Sequence, residues 1–505
     1  MTSLWLIDTP TPARLPVTPG LRFDVVVVGA GLTGLTTALL LAQSGVRVAV
    51  VEARRIGDGT TGATTAKVSL LQGVRAQRIR ERHSGAALRQ YLDANAAAQQ
   101  WLLTYCEAND IPFQLADALT YAQAESEVGA VRAEHEVLRA AGLPVEYLER
   151  IDTPFPSFGA VRLAGQAQLN PMGLLSMLAA DIEARGVPIY ESSRVLGVGF
   201  GRGGDHVVDT EHGPLHAETV VLATGTPILD RGGFFARLIP QRSYLAAFRT
   251  TDPLPHGMYL SAGEPTRSLR YVPDPDGDIL LVGGNGHVVG RETHTEECVN
   301  DLIEWTRHWF PSIEPITNWS AQDYEPTGEL PYVGPILPGV NGILVGTGYA
   351  KWGMTNAIAA ALALSGRLTG KPPEWSPVLA SWRRSDLASL PHTAATNAAV
   401  AQSLSTGWIR LARTAADDVP PPEGCGRVER RLLRPTATCT VGGVTTQLSA
   451  VCPHLYGIVR WNAAERSWDC PLHGSRFAAD GTLLEGPATE SLPLLHKQIQ
   501  APQQP

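Results

Sequence analysis

A chain of 505 residues exceeds one hydrophobic core, so two to four domains are expected. Apolar residues make up 44% and charged residues only 18%, which supplies a large core and excludes wholesale disorder. With 41 basic against 49 acidic residues the net charge is −8, which disfavours sequence-independent nucleic-acid binding.

Residues 1–21 read as an N-terminal extension. They hold no basic cluster followed by an apolar run, so no secretory signal is expected and a cytoplasmic location follows. Phe23–Val28 is a β-branched run with a Gly-rich stop, the pattern of a buried parallel strand. Gly31–Ser44 reads as a helix and Arg47–Val51 as a second strand, which completes a βαβ unit.

The turn of that unit is Gly29-Ala30-Gly31-Leu32-Thr33-Gly34. The first glycine makes a tight turn, the second admits a pyrophosphate, and the third lets helix and strand pack closely. The anion would rest on free N–H groups at the helix N-terminus. Glu52 ends the second strand, where its carboxylate can accept hydrogen bonds from ribose hydroxyls and would repel a 2′-phosphate.

Further along, residues 84–107 and Pro171–Arg185 read as helices, the latter with Pro near its start. Thr219–Ala223 reads as a strand ending in Thr224-Gly225, and Ile343–Val345 as a short strand ending at Gly346. Gly283-Gly284-Asn285-Gly286 lacks both the spacing and the following helix of a second nucleotide site. A helix is expected from about Met354 to Thr369. Its apolar stretch, Ala357–Leu364, is broken by Ser365 and Gly366, short of the roughly 18 residues that a membrane helix needs, so no integral membrane segment is expected.

Between about 380 and 425 the pattern weakens into Ala, Ser and Thr. It reads as a linker, partly helical near Trp408–Arg413 and closed by Pro420-Pro421-Pro422. Short strand-like pieces separated by turns follow: Cys439–Val441, Thr445–Ala450, Ile458–Trp461, Ser467–Asp469 and Arg476–Ala478. They make a small all-β module.

Six cysteines do not form a disulfide framework, and Cys106, Cys298, Cys425 and Cys439 sit in no pattern. Cys452-Pro453-His454 and Cys470-Pro471-Leu472-His473 do. Each half offers one thiolate and one imidazole. Two cysteines on one iron and two histidines on the other is the Rieske arrangement. A Cys₂His₂ zinc site is the rival, although zinc fingers usually separate their cysteines from their histidines.

Four stretches resemble the D-amino-acid-oxidase-like FAD-dependent oxidoreductases, which include glycine and sarcosine oxidases. They are the fingerprint through Glu52 and on to Gly59–Lys67, Gln168-Leu169-Asn170-Pro171, Val221–Gly225, and Gly328–Pro335 with Gly346–Thr355. The resemblance covers about residues 22–385 and implies FAD. The positions it carries over are Gly29, Ala30, Gly31, Leu32, Thr33, Gly34, Glu52, Ala53, Arg54, Thr64, Thr65, Ala66, Val195, Ala223, Thr224, Gly225, Gly348, Lys351, Trp352, Gly353, Met354 and Thr355. In the family a helix N-terminus like that at Gly353–Thr355 faces the flavin pyrimidine ring, where its dipole favours the negative charge of a reduced flavin.

Residues 422–498 resemble Rieske domains, including Trp461–Glu465 and Gly474–Phe477. The ligands implied are Cys452, His454, Cys470 and His473. Many respiratory Rieske proteins carry a disulfide where this chain has Gly457 and Leu472, and a tyrosine where Phe477 stands. Loss of that hydroxyl donor removes support for the reduced state, so a potential below the respiratory type is expected.

The expected architecture is α/β. It comprises a Rossmann-type FAD-binding domain (about 22–80, 155–235 and 325–385), an interleaved α+β substrate domain (about 81–154 and 236–324), a linker at 386–421 and an all-β Rieske domain at 422–498. The resemblance implies oxidation of a small amine or amino-acid-like substrate, with electrons relayed between FAD and a [2Fe–2S] cluster and a ferredoxin-like carrier as partner. Substrate-side candidates are Arg242, which could hold a carboxylate by paired hydrogen bonds, Tyr244, which could orient it, His287 on the same wall, and Lys67 in the flavin-proximal loop. A second reading reverses the current: an external donor loads the flavin through the cluster, for a reduction or for oxygen activation. A third, non-enzyme reading is an electron-transfer or redox-sensing module.

Overall fold

Val25–Val28 are almost completely buried and end the strand Arg22–Val28, at the middle of the first sheet. A computed structural model describes residues 1–8, 12–201, 203–414, 417–431 and 434–499. Val25 pairs in parallel with Val48 on one side and Thr219 on the other. The sheet runs Tyr332–Leu337, Val340–Thr347, Leu215–Leu222, Arg22–Val28, Val48–Val51, Ile189–Tyr190. Helices Leu32–Gln43 and Gly353–Leu368 pack against each other over this sheet.

The second sheet has nine strands, built around Leu238–Arg249, Ile279–Val288 and Glu314–Pro326. The chain weaves between the sheets more finely than expected. Lys67–Val68 and Ala160–Leu169 follow flavin-side segments in sequence yet join this second sheet, where Ala160–Leu169 lies between Phe113–Tyr121 and Lys67–Val68. The glycine run 283–286 lies inside the strand Ile279–Val288.

The Rieske module is two four-stranded sheets, Gly426–Arg431/Arg434–Val441/Val444–Ser449/Leu494–Ile499 and Arg460–Asn462/Ser467–Asp469/Arg476–Ala478/Leu483–Glu485. Trp468, Phe477 and Leu448 fill its core. The strand Gly426–Arg431 escapes a hydrophobicity reading because its buried residue is Glu429, neutralised by Arg427 and Arg431.

The expected linker is corrected to one 24-residue helix, Leu390–Arg413. Its first half is tied to the flavin domain: Thr393 Oγ1 bonds Thr327 Oγ1 at 2.8 Å, and Asn397 Nδ2 donates to the Ala236 carbonyl at 2.8 Å. Its second half lays Val400, Leu404 and Leu411 against the Rieske core. Few apolar residues mark that seam, so the sequence pattern looks loose although the helix is continuous.

Candidate functional site

A cavity of about 220 Å³ runs along the fingerprint. A Cβ on Gly29 (φ +105°) would lie 2.5 Å from the Ala223 carbonyl oxygen, and one on Gly34 would lie 1.9 Å from that of Gly29. Only glycine lets these backbones touch. A Cβ on Gly31 would meet only Thr61 Oγ1, at 3.3 Å, so this position borders open space where a ligand can approach. Neither N-cap residue, Gly31 or Trp352, offers a side-chain cap to the helix it opens, and in the first helix Thr61 Oγ1 accepts only from Leu32 N–H, at 3.2 Å. Both leave N–H groups free at the groove, as a dinucleotide needs. Glu52 accepts hydrogen bonds from the N–H groups of Ala30 (2.8 Å) and Arg54 (3.0 Å).

Of the expected cofactor positions, Gly29, Gly31, Leu32, Thr33, Glu52, Ala53, Arg54, Thr64, Val195, Ala223, Thr224, Gly225, Lys351, Gly353 and Met354 line this groove. Ala30, Gly34, Ala66, Gly348 and Thr355 shape the backbone without lining it, and Thr65 and Trp352 line the neighbouring cavity. One wall is marked by no motif: Leu484, Glu485, Gly486, Ala488 and Thr489 of the Rieske module close the groove.

The neighbouring cavity, about 350 Å³, shares Thr60, Thr64, Asp323, Tyr324 and Lys351 with the groove. Lys67 and Tyr244 line it. Lys67 Nζ donates to the Tyr259 carbonyl and to Ser268 Oγ, both at 2.7 Å. Burial, and then the charge of Arg270, hold its ammonium well below the usual lysine range. Tyr244 is buried, with its hydroxyl 3.1 Å from His287 Nε2. His287 is absent from the cavity wall, so any effect it has reaches the cavity through Tyr244.

Arg242 is the main correction. Its guanidinium faces the Rieske module, not the cavity. Nε donates to Glu465 at 2.8 Å, a second nitrogen to Glu485 at 3.1 Å, and the third to Ser320 Oγ at 2.6 Å and to Glu465. Arg476 shares both carboxylates. Strand alternation explains the direction: Gln241, Ser243 and Leu245 line the cavity, and Arg242 points to the opposite face, where the Tyr244 hydroxyl also lies near Glu465.

Cys452 and Cys470 are buried side by side. The N–H groups of His454 and Leu455 point at the first sulfur, and those of Leu472 and His473 at the second. The rings of His454 and His473 lie 5.1 Å apart. His473 Nδ1 is buried without a partner, while His454 uses Nε2 toward Asp230 Oδ1 at 2.7 Å, which leaves its Nδ1 for a metal. Among the described residues, no three His, Cys, Asp or Glu side chains converge on one point. A sulfur pair beside an imidazole pair is the ligand set of two irons, thiolates on one and imidazoles on the other. A Cβ on Gly457 would lie 2.7 Å from Leu472 Cδ1, so these two positions face each other as the resemblance implied.

Three contributors were not anticipated. Ser475 lies against the Cys452 sulfur, and Phe235 and Asp230 of the flavin domain cover the two imidazoles, with Phe235 5.0 Å from the His473 ring. The modules also meet through Gln322, whose Nε2 donates to Tyr324 Oη (2.8 Å) and to the Gly474 carbonyl (2.9 Å).

The dinucleotide groove opening into a second cavity, with a paired Cys/His site docked alongside, defines a two-cofactor redox protein. Comparison with known proteins agrees. A family model described as FAD dependent oxidoreductase (DAO) matches residues 24–367, and one described as Rieske [2Fe-2S] domain matches residues 417–496. The chain belongs to the DAO family of FAD dependent oxidoreductases and carries a Rieske [2Fe–2S] domain. Its cofactors are FAD and the [2Fe–2S] cluster.

The chain is 31% identical to "Putative Rieske 2Fe-2S iron-sulfur protein YhfW" of Bacillus subtilis, over 97% of this chain and 96% of that protein. It is 28% identical to a glycine oxidase of Pseudomonas aeruginosa, over 69% of this chain and 95% of that one. The solved glycine oxidase of Geobacillus kaustophilus shares the fold, with a TM-score of 0.61 and 21% identity over 72% of this chain and 99% of its own. No helix among the described residues is long and apolar enough to cross a membrane.

Proposed function

We propose that this oxidoreductase oxidises a carbon–nitrogen bond of a small amine or amino-acid-like substrate in the cavity beside the flavin groove, with electrons relayed between FAD and the Rieske cluster. The observation that carries this is the shared wall: Thr60, Thr64, Asp323, Tyr324 and Lys351 border both cavities, and the Rieske module closes the far side of the groove. When bound, FAD supplies a two-electron acceptor and the cluster a one-electron partner.

The residues of the chain divide the remaining work. Lys351 has an ammonium with no hydrogen bond or salt bridge among the described residues and stands where the cavities meet, so it replaces Arg242 as the anchor for a substrate carboxylate. Lys67, kept toward its neutral form by burial, can hold a proton released by a substrate amine. Tyr244 also lines this cavity, with its hydroxyl held against His287. The four cysteines outside the cluster loops, Cys106, Cys298, Cys425 and Cys439, are thiols, which suits a reducing compartment, the cytoplasm.

Anaerobic mixing of the holoenzyme with a panel of secondary amines and amino acids tests the reading. Flavin bleaching followed by the cluster's electron paramagnetic resonance signal is the expected result. A flavin that stays oxidised with every substrate but is reduced through the cluster by a ferredoxin would overturn it in favour of the reverse current.

A further inference from the structure

Tyr456 stands in the first cluster loop, two residues past His454, and it is 67% exposed. Its backbone sits at φ +57°, a conformation that an aromatic residue rarely adopts without cause. The indole N–H of Trp408 donates to the Tyr456 carbonyl at 3.2 Å, so the helix Leu390–Arg413 is fastened to this loop. Trp408 and Ile409 are 41% and 53% exposed. The helix needs neither for its own packing, because Val400, Leu404 and Leu411 supply its buried seam.

The surroundings of these three apolar side chains are cationic. Arg410 and Arg413 are exposed on the same end of the helix, and Arg460 is half-buried two residues beyond Ile458, which underlies Gly407. Arg291, half-buried, donates to the Pro471 carbonyl in the second cluster loop. None of the four makes an ion pair among the described residues, although nearby Arg427 and Arg431 are matched by Asp417, Asp418 and Glu429. Burial and then the positive charges of Arg410 and Arg291 push the Arg460 guanidinium below its usual range, which places the three in one field. In a chain of net charge −8, a cationic rim around exposed aromatics at the cluster loop is a local exception.

We propose that Tyr456, Trp408 and Ile409, ringed by Arg410, Arg413 and Arg460, form the docking surface for an acidic one-electron carrier protein. Carboxylates on the carrier would meet the arginines, which steers encounter, and the apolar centre would hold the complex. The other approach to the cluster is closed, because Phe235 and Asp230 of the flavin domain already cover both imidazoles. Each encounter moves one electron, lost by one iron–sulfur centre and gained by the other, with no bond made or broken. The inference rests on the reading that the cluster exchanges electrons with an outside carrier, and it holds for either direction of current.

The test uses the holoenzyme and a reduced plant-type [2Fe–2S] ferredoxin in stopped-flow, with dithionite as a small-molecule control. Electrons run downhill from such a ferredoxin to a Rieske centre. The double variant Arg410→Glu, Arg413→Glu should lower the second-order rate of cluster reduction by ferredoxin at least tenfold and flatten its dependence on salt, while reduction by dithionite is unchanged. Equal rates for variant and wild type, or a wild-type rate indifferent to salt, would overturn the proposal. So would a concentration-dependent dimer in sedimentation that the variant abolishes, since a second copy would then be the occupant. Failure of the underlying relay looks different: flavin and cluster would fail to exchange electrons after either had been reduced.

Discussion

Around the fingerprint the candidate groove offers a cofactor backbone N–H groups and bare Cα atoms; around the cluster loops the candidate ligands are four side chains. The groove depends on Gly29 and Gly34 fitting against carbonyls and on two helix ends that their N-cap residues leave uncapped. The candidate cluster site would depend on which atoms sit at Cys452, His454, Cys470 and His473, with amide donors arranged behind the sulfurs. A site built from backbone tolerates most side chains and fails when the chain path is blocked. A site built from ligands fails when one atom is exchanged, with the fold left standing.

Substitutions can break that contrast in order of effect. Cys452→Ser should abolish the Rieske signal and cluster iron while FAD absorbance survives, read by electron paramagnetic resonance and metal analysis; loss of both cofactors together would show that the groove wall at 484–489 needs the cluster. Gly34→Val should do the converse and lose FAD with iron retained, because its Cβ would lie 1.9 Å from a carbonyl oxygen.

Arg242→Ala tests the clasp between the regions. It removes one of the two arginines that Glu465 and Glu485 share, leaving Arg476, and should cost up to about 3 kcal/mol, seen as a lower melting temperature or as two separate unfolding steps. Acid probes the same clasp. Burial pushes the Glu465 carboxyl up, but the charges of Arg242 and Arg476 outweigh burial and hold it well below its ordinary value of 4.5. Its contribution is therefore fully present above that value and is lost only as pH falls toward the lowered one. Docking should be constant through neutral pH and weaken only in strong acid, as followed by scattering.

The smallest effect is expected at Asp230, whose carboxylate accepts from the His454 ring. Asp230→Asn removes a negative charge beside the ligand and should raise the cluster's midpoint potential, with Asp230→Glu restoring it, in a redox titration.

What could be read in the sequence tracks these differences. The glycine turn and the two Cys/His pairs are local patterns, each complete within a few residues. Arg242 misled because its partner Glu465 lies 223 positions away, and nothing local distinguishes an arginine aimed at substrate from one aimed at another module. His287 and Tyr244 meet across two strands, so their contact depends on register, which sequence does not give. The helix Leu390–Arg413 was hidden by a seam of only a few apolar residues. The groove wall at Leu484–Thr489 is a Gly-Pro loop of no recognisable motif; it gains its role only from docking.

That wall bears on how the protein matures. The fingerprint leaves the ribosome early and the residues that finish the pocket leave it late, so a nascent chain carries a flavin trough open along one flank. Dinucleotide captured during synthesis would stay exchangeable until the final β-module folds over it. Retention of the yellow cofactor thus becomes a report on correct closure of the groove by residues 484–489.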